Sequence, residues 1–182
     1  MNKRLKLDFA AFKQYIKSTY ETEDAVLFPD LPVGQVFDDD LEKEQAFNGA
    51  FSDSKNFTVL MHGPKNSPYE GGVFRFEVVI PTGYPMYPPK VKCKTEIYHP
   101  NISKSYVCAE TLQDGWSPAM GLKQLFMSLY AIMFAPNSKG TAKTITDDDI
   151  AQHEKHLEKV SEHTAKHAAI PVLLAIKDTK EP

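Results

Sequence analysis

The octapeptide Val73-Phe74-Arg75-Phe76-Glu77-Val78-Val79-Ile80 runs directly into a nine-residue stretch holding four prolines, Pro81, Pro85, Pro88 and Pro89. That junction constrains the fold more than any other part of the chain. Phe74, Phe76, Val78 and Ile80 share one face and Arg75 and Glu77 the other, the signature of a half-buried strand. The proline stretch can be neither helix nor central strand. It predicts a stiff, extended loop with exposed apolar side chains. Beyond it, Lys90 to Thr95 alternates again and puts Val91 and Cys93 on one face, so Cys93 is expected to be a buried, inert thiol. Before it, Phe57 to Met61 reads as a strand, joined onward through His62-Gly63-Pro64-Lys65-Asn66-Ser67-Pro68 and Glu70-Gly71-Gly72. Strands joined by Gly/Pro-rich turns predict an antiparallel meander.

Helical spacing flanks this sheet. Leu122, Leu125, Phe126, Leu129, Ile132 and Met133 recur every three or four residues and predict an apolar central helix. Ser117-Pro118 suits its start, and Pro136-Asn137 with Gly140 ends it. Leu5, Phe9, Phe12 and Ile16 predict an amphipathic helix over residues 3–20, with Lys3, Arg4 and Lys6 at its basic end. Those charges are either a solvated face or a docking surface. Residues 21–56 are broken by Asp24, Pro29, Asp30, Pro32, Gly34 and the Asp38-Asp39-Asp40 run. Short strands at Val26-Leu27-Phe28 and Gln35-Val36-Phe37, and a helical turn or two from Leu41 to Phe47, are expected there. The tail is helical from about residue 148 to 169, with Asp147 to Asp149 favouring its N-terminal turn. A last short helix is expected over Val172 to Ile176, after Pro171.

With 182 residues and a net charge of -3, one domain is expected, without general attraction to nucleic acid or anionic membrane. No apolar run reaches membrane-spanning length, and no signal-peptide core follows Met1-Asn2-Lys3-Arg4. Two cysteines, Cys93 and Cys108, make no disulfide framework, which points to a reducing compartment. There a cysteine is catalytic, metal-bound or buried. Cys108 follows the turn-rich stretch Tyr98-His99-Pro100-Asn101-Ile102 and precedes Trp116-Ser117-Pro118. A thiol with an amide donor close before it is the minimum equipment for acyl transfer through a thioester.

Several motifs stand in order: Gly63-Pro64…Pro68-Tyr69-Glu70-Gly71-Gly72-Val73-Phe74, then Tyr84-Pro85…Pro88-Pro89-Lys90-Val91, then Tyr98-His99-Pro100-Asn101-Ile102…Cys108-Ala109-Glu110-Thr111-Leu112…Trp116-Ser117-Pro118-Ala119, then Pro136-Asn137. Together they resemble the core of a ubiquitin-conjugating enzyme over about residues 57–138. The resemblance implies an α+β fold with an N-terminal helix, a four-stranded antiparallel meander, a central helix and C-terminal helices. It implies one domain over 1–182, with 139–182 a C-terminal helical extension. It implies that ubiquitin or a relative arrives from an activating enzyme, is held as a thioester and passes to a substrate lysine with a ligase's help. Cys108 matches the acceptor, Asn101 the asparagine linked to the oxyanion or to loop order, and His99 the loop-shaping histidine. Met86, Pro118 and Ala119 match the ligase-docking loops. Lys3, Arg4 and Lys6 match the face used by the activating enzyme. No cofactor is implied, ATP being used by the activating enzyme upstream. A monomer in the cytoplasm and/or nucleus is expected.

The sequence departs from the family pattern at four places. The loop from Asn101 to Cys108 is one residue shorter than usual, and Met86 stands where many members place an aromatic. Gly140, between Lys139 and Thr141, stands where members often carry an acidic or serine gate residue. Residues 21–56 are longer than the family's first-strand region. Pro88-Pro89-Lys90-Val91-Lys92-Cys93 resembles members that carry a Nedd-type modifier, and Gly140 suits a variant that binds ubiquitin without transferring it. Both remain alternatives to transfer of ubiquitin.

The residues have plainer readings too. No Lys or Arg lies within two positions of Cys108, and Glu110 is near in sequence, so no strongly activated thiolate is expected; a free thiol has a pKa of about 8.5. Asn101 could serve an oxyanion or the turn itself. His99 suits a structural role, preceding a proline in a tight turn. Trp116 is expected as core packing under the active loop. His153, His156, His163 and His167 would span a roughly 80° arc of one continuous helix. His163 and His167 could hold a metal, but without a neighbouring cysteine or a His-Glu-x-x-His pattern a solvated face is the better reading and no metal is expected.

Overall fold

In the computed structural model, the structure describes residues 3–19, 26–31, 40–104, 107, 112, 115–136 and 147–168. Its elements in chain order are α1 (Lys3–Thr19), β1 (Leu27–Pro29), α2 (Asp40–Ala50), β2 (Asn56–His62), β3 (Val73–Val79), β4 (Lys90–Cys93), α3 (Leu122–Phe134), α4 (Asp147–Lys155) and α5 (Leu157–His167). The strands form an antiparallel meander in the order β1-β2-β3-β4. Register follows from which face is buried. Val59 faces Phe76, Met61 faces Phe74 and Phe57 faces Val78, while Phe76 and Val78 face Cys93 and Val91. All of these are buried. A slip of one residue would turn the whole set to solvent. On the other face, Arg75 pairs with Asp30 at 2.9 Å and Lys94 with Glu77 at 3.1 Å. Pro29 is accommodated because β1 is an edge strand, where a missing N–H breaks no ladder.

The apolar stripe of α1, Leu5, Phe9, Phe12 and Ile16, is buried as its spacing predicts. Phe12 stacks on Phe126 of α3 with ring centroids 5.3 Å apart. α2 is three turns long, longer than the turn or two expected from Leu41 to Phe47. What extends it is tertiary: Phe47 and Phe51 pack together, and Phe51 packs on Phe9 and Phe57. Lys17 pairs with Glu44 at 2.9 Å. Cys93 is buried with no exposed surface; burial pushes its thiol up to about 12, so it stays protonated and inert.

Three expectations need correction. Pro118 is not at the start of α3: that helix begins at Leu122, with Gly121 at its N-cap, where Gln124 accepts from the Gly121 N–H at 3.2 Å. The histidine-rich tail is not one helix, for it breaks at His156, whose N–H bonds the His153 carbonyl at 3.0 Å. His153 of α4 and His163 of α5 nevertheless both approach the Tyr98 ring, with centroids 6.3 and 6.4 Å away. Tyr84, expected among exposed loop residues, is buried, whereas Met86 and Tyr87 are exposed. The strand expected at 35–37 and the helix at 172–176 lie outside the described residues.

α5 is fastened to the sheet by close backbone approach. The Val73 N–H donates to the Ala168 carbonyl at 2.7 Å. A Cβ on Gly72 would come within 2.7 Å of the Thr164 methyl, so glycine is what lets the helix sit there. At Gly71, φ is +78°, a left-handed conformation that glycine adopts without cost.

Candidate active site

The segment from Tyr98 to Ile102 is held by a histidine whose ring is fully committed. The backbone N–H of Asn101 donates to His99 Nδ1 at 2.9 Å. Nδ1 is therefore the unprotonated nitrogen, and Nε2 carries the hydrogen and donates to the Ile132 carbonyl at 3.1 Å. The sequence explains why that carbonyl is available. Ile132 lies in the last turn of α3, and the N–H that would close its helical bond belongs to position 136, which is proline. An imidazole from the loop satisfies an acceptor that the helix cannot. Burial pushes the His99 imidazole down to about 3, with the neighbouring His153 acting in the same direction. It stays neutral at physiological pH. With both nitrogens engaged it cannot shuttle protons, so His99 is a positioning residue.

Asn101 has no exposed surface. Ile102, also fully buried, forms an antiparallel bridge with Val107, which closes the loop between them. Cys108, the next residue in sequence, lies outside the described residues, as does Gly140.

A second tyrosine–histidine pair braces the same segment. The Tyr69 hydroxyl donates to the Tyr98 carbonyl at 2.8 Å and lies 2.7 Å from His153 Nε2. One hydroxyl has one hydrogen, so His153 donates from Nε2 to the Tyr69 oxygen. Burial raises the Tyr69 pKa and lowers that of His153, so both stay neutral. Residues 69, 98 and 153 come from the β2–β3 turn, the loop and α4. Sequence reading singled out none of these roles. The available signal was a large aromatic set among turn residues in Pro68-Tyr69-Glu70-Gly71-Gly72.

The two loops holding Met86 and Pro118-Ala119 are tied together. Trp116 Nε1 donates to the Pro85 carbonyl at 2.7 Å, and its ring lies 6.0 Å from that of Tyr84. Trp116 packs half-buried against the core, as expected, and ties itself to the proline-rich loop as well; Cys108, whose loop it was expected to underlie, is outside the described residues. Tyr84 in turn donates to Asp8 Oδ2 at 2.7 Å. Arg4 Nε donates to the same oxygen at 2.7 Å, and Arg4 Nη2 reaches the Ala119 and Met120 carbonyls at 3.1 and 3.3 Å. Hydrogen bonding to Asp8 raises the Arg4 pKa, and burial followed by the Asp8 bond raises that of Tyr84. Arg4 is thereby a strut between α1 and the loops, whereas Lys3 and Lys6 are exposed. Met86 is 69% exposed, and Pro118 and Ala119 are exposed as well. The brace presents an apolar platform on a rigid base.

A model of the ubiquitin-conjugating enzyme family matches residues 35–165. The chain belongs to the ubiquitin-conjugating enzyme family. Ubiquitin-conjugating enzyme E2 N of Drosophila melanogaster is 40% identical over 115 residues, covering 63% of this chain and 71% of that protein. Ubiquitin-conjugating enzyme E2 N of Macaca fascicularis is 39% identical over 116 residues, covering 63% and 74%. Among solved structures, the E2 domain of a Toxoplasma gondii ubiquitin conjugating enzyme superposes with a TM-score of 0.61 at 25% identity, covering 91% of this chain and 97% of that one. As a ubiquitin-conjugating enzyme the chain is a transferase acting through a cysteine thioester, and the expected α+β fold is the one observed. The family match reaches beyond residues 57–138 in both directions and takes in α2, α4 and most of α5.

Proposed function

We propose that Cys108 accepts ubiquitin from an activating enzyme and that Asn101 assists its transfer to a substrate lysine. The supporting observation is the bridge between Ile102 and Val107. Asn101 precedes Ile102 and Cys108 follows Val107 in the chain. Asn101 is buried and its backbone is pinned by His99. In the first step the Cys108 thiolate attacks the carbonyl of the activating enzyme's thioester, and the activating enzyme's thiolate leaves. In the second, a lysine amine attacks the new thioester and the carbonyl oxygen becomes an oxyanion. The tetrahedral intermediate collapses to an amide, the amine loses a proton to solvent, and the Cys108 thiolate leaves. An amide donor placed before the reaction needs no reorganisation to meet the oxyanion. His99 is not the base, because its ring is committed to Asn101 and Ile132.

Ligases dock on Met86, Pro118 and Ala119 in this reading, supported by their shared exposure and the Trp116–Pro85 tie. Lys3 and Lys6 meet the activating enzyme; Arg4 contributes by holding α1 to the loops. No cofactor enters either step, ATP being used by the activating enzyme. The names of the relatives favour ubiquitin as cargo, while Pro88-Pro89-Lys90-Val91-Lys92-Cys93 keeps a Nedd-type modifier as the competing arm. The test incubates the protein with activating enzyme, ATP and each modifier. A reductant-sensitive adduct with ubiquitin, absent in Cys108→Ala and discharged by free lysine, is expected. Failure to load either modifier would refute the proposal, and a thioester that never discharges would show a binding variant.

A further inference from the structure

Glu96 lies three residues before His99, at the start of the segment that carries Asn101, and two histidines of α5 converge on its carboxylate. His163 Nε2 is 3.6 Å from Oε1 and His167 Nδ1 is 4.0 Å from Oε2. The two imidazoles stand one helical turn apart with ring centroids separated by 4.3 Å. One ligand atom from each of the three residues lies within 4.8 Å of the others. Those approaches are longer than hydrogen bonds. They are close to the roughly 3.4 Å edge of a tetrahedron built from metal–nitrogen and metal–oxygen bonds of about 2.0–2.2 Å. Small side-chain rotations close the remaining distance.

The geometry points to a divalent metal site formed by Glu96, His163 and His167, taking a late first-row ion such as zinc. Two imidazoles and a carboxylate are a borderline donor set suited to such ions rather than to calcium or magnesium. The three ligands leave a fourth position for water. They come from two separate parts of the chain, so the ion would fasten α5 to the segment leading into His99 and Asn101. Lys104 occupies Glu96 Oε2 at 3.1 Å with 61% of its side chain exposed. It must swing into solvent as the cation arrives, since the two positive charges compete for one carboxylate. His163 Nδ1 is buried without a hydrogen-bond partner among the described residues. A metal-bound imidazole ordinarily donates from its other nitrogen. Lacking such an acceptor among the described residues, the site is expected to bind about 10–100-fold more weakly than one whose outer partners are complete.

Zinc titration of the full chain by calorimetry tests this in a Cys108→Ser background, which leaves the buried Cys93 as the remaining thiol. One equivalent is expected to bind. His167→Ala and Glu96→Gln are each expected to weaken binding by about tenfold or more. Cobalt substitution should give a visible absorption band that disappears with the same variants. Should His163→Ala fail to fold by circular dichroism, His167→Ala in the last turn of α5 carries the test. Absence of saturable zinc binding, or binding that is lost in Cys108→Ser or unchanged in folded His167→Ala and Glu96→Gln, would overturn the proposal.

Discussion

His99 makes acid sensitivity a quantitative consequence of the active-site architecture. Its imidazole is neutral in the fold, with a pKa down to about 3, against about 6.5 in an unfolded chain. As pH falls through 6.5 the unfolded chain takes up a proton that the folded chain refuses. Stability from this difference is fully present above pH 6.5 and is lost progressively as pH falls toward 3. At pH 5.0 the deficit is one and a half pH units, or about 2 kcal/mol at 1.36 kcal/mol per unit. His62 and His153 are also depressed by burial and act with the same sign, so a variant is needed to isolate His99. His99→Gln cannot titrate and keeps an uncharged donor for the Ile132 carbonyl. It loses the acceptor for the Asn101 N–H, at a pH-independent cost of about 1–3 kcal/mol. Urea unfolding at pH 7.0 and 5.0, followed by the fluorescence of the single tryptophan, Trp116, measures both terms. The wild type should lose about 2 kcal/mol more than the variant between the two pH values. Equal losses in a folded variant would refute the assignment of a buried neutral imidazole.

Three further outcomes follow from the same geometry. Asn101→Ala should load modifier at near wild-type rate yet discharge it to lysine about 10²–10³-fold more slowly in single-turnover assays; unchanged discharge would assign Asn101 to loop architecture alone. Trp116→Phe removes the bond to the Pro85 carbonyl and should lower stability by about 1–2 kcal/mol. It should also weaken ligase binding in a pull-down or calorimetric assay, with thioester loading unaffected. Tyr69→Phe strips the hydroxyl shared by Tyr98 and His153 and should cost about 1–3 kcal/mol. Hydrogen exchange should then speed up first in α4 and the 98–102 segment, and uniform acceleration across the sheet would argue against a local brace.

The sheet and the central helix were legible because their signals are local. Alternation in 73–80 and three- and four-residue spacing in 122–133 report burial on one side of an element, and burial is what selected those elements. The edge strand at Leu27–Pro29 was also legible, one residue displaced. α2 was foreshortened because its stability comes from Phe47 and Phe51 meeting α1 and β2, contacts invisible to a window of sequence. The tail was read as one helix because its composition permits one; the break at His156 accompanies His153 docking on Tyr69, an anchor distant in sequence.

For the site the division is similar. Residue order alone showed a thiol and an amide suited to acyl transfer, Cys108 and Asn101, with His99 in the same turn-rich stretch and Cys93 set apart by strand alternation. Only the tertiary structure decided what His99 does, because its role depends on the Ile132 carbonyl that Pro136 leaves without a helical donor. It likewise turned Arg4 and Trp116 into struts beneath the Met86 and Ala119 loops, and brought Glu96 to His163 and His167. Residue chemistry is written along the chain. Whether a polar group is a reagent or a brace depends on which partner burial forces on it, and that partner comes from elsewhere in the fold.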